Sequence, residues 1–428
     1  MPPSSPAGDS QPVSRSAWGL LAFFTLLNVL NFIDRTLIAA LAPLLIADLG
    51  LSRAEIGLLA GFGFVFFYTF VGLFLGLAAD RWRRIPLVAA GLTLWSAMTA
   101  LSGWARSFVH LAIPRIFVGV GEATLTPAAL SMLGDVFPPR RLAMASGVYY
   151  AGIPLGMSVG LIASSWIAPH YGWRACFFVL GAVGVVAAGI LLVFREPVRR
   201  GGAPEEQLPL GRLALDVFRA LAVRRDLALT LLGGSLLCYG AAAALHAVTW
   251  LVQERGFSYA HAAFQAGVIA VFAGFLGNLA GGAFGDWCAC RRPNGHLFSL
   301  IPMTLFFTPF GLLFYAMSPG TPFFYVCWFV TAAGTSAWFG PLFAAIQELS
   351  PAHTRASTVA FALLVLNLLG VGPGPLITGM IGDARGLTAG LLSSLAVVAL
   401  AVLPFALAVR RAPATETVAV LTGDSSAD

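Results

Sequence analysis

Lysine is absent from the 428-residue chain, so all 25 basic residues are arginine. A Walker A loop needs its lysine on the nucleotide phosphates, and a pyridoxal enzyme needs a Schiff-base lysine. An autonomous P-loop ATPase is therefore excluded, and any transport must draw on a gradient or a partner chain. Charge is scarce altogether. Asp, Glu, Lys and Arg make up 10 % of the chain, against about 25 % in ordinary soluble domains. Cysteine is confined to five scattered positions, 176, 238, 288, 290 and 327. Cys288-Ala-Cys290 lacks the second pair that a metal site would need, so neither a metal nor a cofactor is expected.

Apolar residues are abundant: 58 % of the chain, with a mean hydropathy of +0.85. A soluble globule cannot hide that much apolar surface. The composition points to an all-α polytopic membrane protein. Twelve runs of the roughly 20 residues that a spanning helix requires can be drawn. They cover residues 17–46, 54–79, 86–105, 108–133, 143–167, 173–194, 226–252, 260–285, 296–317, 321–346, 355–382 and 386–409. The first run is too long for a signal-peptide core, so no cleavable leader is expected.

The arginines set the orientation. With the N-terminus inside, 18 of the 25 fall in cytoplasmic segments, five in outer loops, and two within spans. That asymmetry predicts a multi-pass protein of the inner (plasma) membrane with both termini cytoplasmic. The net charge of +6 is thus an orientation signal, and no nucleic-acid partner is expected.

The expected organisation is a disordered tail (1–16), a six-helix bundle (17–194), a cytoplasmic linker (195–225), a second six-helix bundle (226–409) and a second tail (410–428). An amphipathic helix is expected in the linker near Leu210 to Leu221. Sparse repeats relate the bundles. At an offset of 214, Pro127 meets Pro341, Arg141 meets Arg355, Gly156 meets Gly370 and Gly160 meets Gly374. At an offset of 206, Gly76 meets Gly282 and Asp80 meets Asp286. Two pseudo-symmetric six-helix bundles are the architecture of a secondary transporter with its site between the repeats.

Four charges lie deep in spans: Asp34, Arg35, Arg115 and Glu122. Each costs about 2.5–3.5 kcal/mol at the bilayer centre on insertion scales. Arg115 and Glu122 share a helix face about 10 Å apart, with Gly119 between them leaving room for a ligand or a facing helix. The bland explanation is two ion pairs that lock two helices together. The functional one is a proton and anion site. Asp34 or Glu122 would carry the proton, and Arg115 or Arg35 would anchor an anionic head group.

Other polar or amphipathic side chains at span depth are candidates for substrate contact: Tyr68, His246, Trp250, Trp338 and Asn367. His246 is as readily a satisfied core histidine. Gly76, Asp80, Arg81 and Arg84 form a loop with the makings of an inner gate, with Asp286 as its second-half counterpart. Gly152, Pro154, Gly156 and Gly160 offer either close helix packing or a hinge.

The Gly76-Leu-Ala-Ala-Asp80-Arg81-Trp-Arg-Arg84 loop resembles the signature loop of the major facilitator superfamily, with Arg83 where that loop usually has Gly. Asn31-Phe-Ile-Asp34-Arg35, Arg115-x-x-x-Gly119-x-Gly121-Glu122, the Arg195-Glu196-Pro197 exit and Asn367-Leu-Leu-Gly370-x-Gly372-Pro373-Gly374 with Asp383 resemble its Spinster family. The likeness covers about residues 17–410. It implies the major facilitator fold, alternating access, and export or exchange of sphingolipids or lysophospholipids. It further implies proton coupling through the four-charge cluster. In the second half, Gly282 to Asp286 continues with Trp287 and Cys288 in place of Arg.

Absent lysine with abundant Ala and Gly fits a GC-rich bacterial genome, whose substrate need not be the animal lipid. The expectation is a monomeric, proton-linked transporter of an amphipathic anionic lipid. The alternative is a transporter of a small organic anion or an amphipathic drug. A lipid calls for an apolar cavity, and a small anion for a pocket with several Arg and Gln. No enzyme activity is expected, since the six histidines are spread along the chain and no nucleophile elbow is anticipated.

Overall fold

A computed structural model describes residues 14–199, 224–350 and 355–412. The two tails, most of the linker and its expected amphipathic helix lie outside the described residues. Among those described, all regular structure is helical, and twelve helical runs are long and apolar enough to cross a membrane. We number them α1 (Arg15–Leu49), α2 (Arg53–Gly72), α3 (Arg84–Ser102), α4 (Phe108–Val136), α5 (Met144–Tyr171) and α6 (Trp173–Leu191). The second six are α7 (Arg225–Gln253), α8 (Tyr259–Ala289), α9 (Gly295–Ala316), α10 (Pro322–Glu348), α11 (Thr358–Arg385) and α12 (Leu387–Arg411). The expected spans agree with these to within four residues, except that the second was expected to end at 79 and α2 ends at Gly72; runs of this length and apolarity are helical wherever lipid surrounds them.

The repeat is clearer in the turns than in the spans. Gly50 and Gly256, 206 positions apart, take φ values of +65° and +72° after α1 and α7. Gly172 and Gly386, 214 apart, take +80° and +89° between α5 and α6 and between α11 and α12. Left-handed backbone is available to glycine without a Cβ clash, so corresponding corners use it twice.

By their contacts the residues form two compact units. The first runs to Leu37, includes Phe67–Ala163, and resumes from Ile167 through α6. The second takes Ile38–Phe66 and the chain from α7 onward.

Within the first unit, α5 lies against α1 through its glycines. A Cβ at Gly156 would stand 2.5 Å from the Val29 carbonyl oxygen, and one at Gly152 would stand 3.0 Å from that of Thr25. Asn28 donates to the Tyr149 carbonyl at 2.8 Å, near the break between the two parts of α5.

Within the second unit, the start of α2 is docked on α11. Cβ atoms at Gly57 and Gly379 would meet the carbonyl oxygens of Pro375 and Arg53, each at 2.4 Å. A capping box of Ser52 and Glu55 opens α2. The Asp383 carboxylate accepts from the Arg53 and Ala54 N–H groups, both at 2.9 Å. These acceptors satisfy N–H groups that a helix start leaves without intrahelical partners.

Candidate functional site

The four deep charges converge in the first unit as two ion pairs. Arg115 Nη1 lies 2.7 Å from Asp34 Oδ1. Arg35 Nε lies 2.8 Å from Glu122 Oε2. The pairs are interleaved through the backbone: Arg115 also reaches the carbonyls of Asp34 and Arg35, each at 3.4 Å. Adjacent residues on α1 point to opposite partners because each helical residue turns the side chain by about 100°. On α4, seven residues bring Arg115 and Glu122 back to one face.

The pairs differ in surroundings. Asp34 and Arg115 are closed off, and the Thr99 hydroxyl of α3 donates to the second Asp34 oxygen. Glu122 is fully buried, but the Arg35 side chain retains 23 % exposure. The Arg35 guanidinium lies over the rings of Tyr68, at 4.1 Å, and Phe32, at 4.9 Å. Glu122 Oε1 has no hydrogen-bond partner among the described residues.

Local backbone explains part of this. α4 is not one continuous helix. Its first part ends at Glu122, and helix resumes at Leu125. Thr124 donates both its N–H and its hydroxyl to the Gly121 carbonyl, at 3.2 and 2.8 Å. Gly91 and Gly121 abut: a Cβ on either would come within 2.7 Å of the other's carbonyl oxygen. α3 and α4 therefore touch backbone to backbone beside the break, which helps fix where Glu122 and Thr99 project.

Sequence reasoning missed Thr99, whose only signal was a lone threonine at span depth. It also missed the partners of Arg84. Arg84 is 1 % exposed. It donates to Asp135 at 2.5 Å, to Ser131 at 2.9 Å, to the Pro197 carbonyl at 3.0 Å and to Glu196 at 3.4 Å. The arginine of the expected inner gate is thus bonded to the Arg-Glu-Pro segment after α6. Helical backbone continues past α2 to Arg81; the side chains of Asp80 and Arg81, like the surroundings of Gly76, lie outside what the structure describes.

The remaining candidates are dispersed. His246 is fully buried, with Nε2 2.8 Å from the Pro375 carbonyl oxygen of α11. Trp250 donates to the Thr388 hydroxyl at 2.8 Å and contacts Phe314 and Tyr315 edge-on. Asn367 opens a single π-turn, Asn367–Val371, ahead of Pro373 in α11. Gly152, Gly156 and Gly160 all face α1, with Pro154 among them. Gly156-Met-Ser158-Val-Gly160 does spell the Gly-x-Ser-x-Gly string of a nucleophile elbow. It lies inside α5 with Ser158 fully buried, rather than on a strand-to-helix turn, so it is a packing run.

Trp338 lines a pocket within the second unit, among α7, α9, α10 and α12. Thr304, Thr308, Thr331 and Thr335 put hydroxyls on its wall, and Phe307 adds a ring. No Arg, Gln, Asp or Glu lines it. Outside the spans, Glu254 caps α12, accepting from the Thr388 hydroxyl at 2.6 Å and the Thr388 N–H at 2.9 Å. Burial pushes the Glu254 carboxyl up, but these bonds and that from the Leu387 N–H outweigh it and hold it below the ordinary glutamate range.

The family model described as Major Facilitator Superfamily matches residues 24–371. An MFS-type efflux pump of Mycolicibacterium smegmatis is 31 % identical over 372 residues, covering 86 % of this chain and 85 % of that protein. The sphingosine-1-phosphate transporter SPNS2 of Mus musculus is 26 % identical over 401 residues, covering 89 % and 72 %. Among solved structures, a bacterial homolog of the human lysosomal transporter Spinster, inward-facing and unoccupied, superposes with a TM-score of 0.83. That pair is 25 % identical, over 94 % of this chain and 98 % of the other. The relatives are transporters, not enzymes.

Proposed function

The chain belongs to the Major Facilitator Superfamily as a Spinster-like transporter, and on that premise we propose that it moves an amphipathic anionic lipid coupled to protons. A sphingolipid or a lysophospholipid is the substrate class. The observation that carries the reading is the asymmetry of the two ion pairs. Arg35 is the one accessible member of the cluster, and a buried carboxylate holds it in place.

Protonation of Glu122 would remove the charge that Arg35 balances. The guanidinium would then be free to take a phosphate or carboxylate in its place, with bidentate geometry. Conversely, a bound anionic head group would favour the protonated carboxyl. Substrate and proton are thus linked through one guanidinium, and neither state buries an uncompensated charge. Tyr68 and Phe32 hold the Arg35 fork by their ring faces. Asp34, Arg115 and Thr99 form the closed half, which positions α1 against α3 and α4. We assign Glu122 as proton carrier and Arg35 as head-group anchor.

The cavity around Trp338 supports an amphipathic substrate over a small anion, because its wall is apolar and hydroxylic with no cation. The similarity to an efflux pump favours a second reading, an amphipathic drug held by the same guanidinium.

The test is transport into proteoliposomes under an imposed pH gradient. Three probes are compared: sphingosine-1-phosphate, its uncharged long-chain alcohol analogue, and glucuronate as a small anion. The wild type should move the phosphorylated lipid with a pH-dependent rate. Glu122→Gln should lose the pH dependence, and Arg35→Ala should lose the anionic lipid far more than the neutral one. Intact coupling in Glu122→Gln would sink the proton assignment, and loss of coupling in Asp34→Asn alone would move the role to Asp34. Uptake of glucuronate without lipid would replace the substrate class.

A further inference from the structure

A second cluster of titratable groups stands apart from the charges on α1 and α4. His296 is the second residue of α9, Asp286 lies in the last turn of α8, and Glu348 ends α10. The His296 ring sits between the two carboxylates. Nδ1 is 2.6 Å from Glu348 Oε1, and Nε2 is 3.1 Å from Asp286 Oδ1. A Cβ at Gly285 would stand 3.4 Å from His296 Cδ2. One at Gly295 would stand 2.3 Å from the Cys288 carbonyl oxygen. The corner between α8 and α9 is therefore tight, and it holds the ring in place.

This geometry has a proton count. A neutral imidazole carries one N–H, and an ionised carboxylate carries none. Two carboxylate oxygens facing the two ring nitrogens cannot both be hydrogen-bonded by that single proton. A second proton, on the ring or on one carboxyl, completes the arrangement. Without it, one of the two contacts becomes a repulsion between lone pairs.

The first unit contains the counterpart. Arg84 is the first residue of α3, as His296 is the second of α9. Asp135 lies one residue before the end of α4, as Glu348 ends α10. Arg84 to His296 is an offset of 212, and Asp135 to Glu348 an offset of 213, close to the repeat. In one unit the cation between two carboxylates is an arginine, which keeps its proton at any physiological pH. In the other it is a histidine, a side chain that, unlike arginine, can release its proton.

Among the described side chains, the other charged groups near this corner leave His296 to its two carboxylates. Arg291 lies over the Trp287 ring at 4.1 Å and Arg292 over the Phe298 ring at 4.6 Å. α12 also packs on α9 and ends in Arg410 and Arg411. The side chains of His296, Glu348 and Asp286 are 15 %, 36 % and 80 % exposed, so the cluster exchanges protons with water.

We propose that His296, Asp286 and Glu348 form a proton-binding clasp that ties the ends of α8, α9 and α10 together when it holds its second proton and loosens when it releases it. The clasp is separate from the Arg35 and Glu122 pair. It would make the second unit's end pH-sensitive while the Arg84 network stays closed.

Cys290 reports on it directly. It is exposed, and it lies in the same corner, four residues after Asp286. The full-length protein in nanodiscs is treated with a maleimide across about pH 5–8, and modification at Cys290 is read by peptide mass. His296→Arg, which copies Arg84, supplies the reference for the thiol's own titration. The ratio of wild-type to His296→Arg labelling should stay near one at the acid end and rise several-fold at the alkaline end. Nitrogen-15 spectra of the His296 ring, assigned by its loss in His296→Gln, should show both nitrogens protonated at the acid end and one at the alkaline end. A flat ratio, or a ring with one protonated nitrogen throughout, overturns the proposal. Neither result depends on transport, so failure here is distinguishable from failure of the substrate assignment.

Discussion

Arg35 and Glu122 meet at 2.8 Å, yet one side chain is 23 % exposed and the other is not exposed at all. One hydrogen bond thus joins a group that water or a ligand can reach to one that neither can. The neighbouring pair, Asp34 and Arg115, has no such asymmetry, being 2 % and 5 % exposed. The two pairs should therefore respond differently to mutation.

Loss of Asp34 should be a folding defect first. Asp34→Ala leaves the Arg115 guanidinium buried without its carboxylate, which typically costs about 3–5 kcal/mol. Arg35→Ala leaves Glu122 buried without its cation, but a carboxyl can neutralise itself by taking up a proton and a guanidinium cannot, so it should cost less. Thermal unfolding in detergent, monitored by helical circular dichroism, gives the order. Equal losses would mean that exposure does not separate the pairs.

Gly156 should tolerate no side chain, and Gly189 should accept one freely. A Cβ at Gly156 would stand 2.5 Å from the Val29 carbonyl oxygen, whereas nothing lies within 4 Å of one at Gly189. Gly156→Ala should destabilise by about 1–3 kcal/mol through overpacking. Gly189→Ala should be neutral or stabilise by up to about 1 kcal/mol, since alanine loses less entropy in a helix. Melting temperatures of the two variants, measured side by side, test the packing role of the α5 glycines against the hinge role. A tolerated Gly156→Ala would revive the hinge.

Arg84→Lys should fail to rescue Arg84. The guanidinium donates to Asp135, Ser131, Glu196 and the Pro197 carbonyl from one planar fork. An ammonium has three donors and no fork. Both Arg84→Lys and Arg84→Ala should raise protease cutting in the segment after α6, read by mass spectrometry of the fragments. A wild-type cutting pattern in the lysine variant would show that charge alone suffices.

The cap on α12 should depend on acid in a definite direction. Glu254 is held below its ordinary range, so the folded state binds its proton less readily than the unfolded chain does. Its contribution is complete above the unfolded value, about 4.3. It is lost as pH falls toward and through the lower folded value. Glu254→Gln should therefore melt below the wild type at neutral pH, and the gap should narrow on acidification. A constant gap from neutral to acid would refute the assignment.

Much of this was legible in the residues. Asp34, Arg35, Arg115 and Glu122 stood out because charges at span depth are costly, and their seven-residue spacing on α4 placed two of them on one face. Which acid pairs with which arginine was not legible, since both pairings balance charge equally. It took the helix rotation of α1, together with the break after Glu122, to choose. Thr99 and Asp135 gave no comparable signal, because a threonine in a span or an acid near a helix end is ordinary by itself. His246 and Trp250 illustrate the reverse: prominent in sequence, they are held by Pro375 and Thr388.

The absent lysine and the scarce charge settled the class of the molecule before any fold was known. Apolarity at this density is stable only in lipid, and in lipid the backbone must be helical. Those are properties of residues counted one at a time. Partnership is a property of pairs distant along the chain: Arg35 with Glu122, Arg84 with Asp135, His296 with Glu348 and Asp286. Their separations of 87, 51, 52 and 10 positions exceed the reach of helical periodicity. Only the packed helices bring them within hydrogen-bond distance, and that step decides which arginine is a structural clamp and which is exposed.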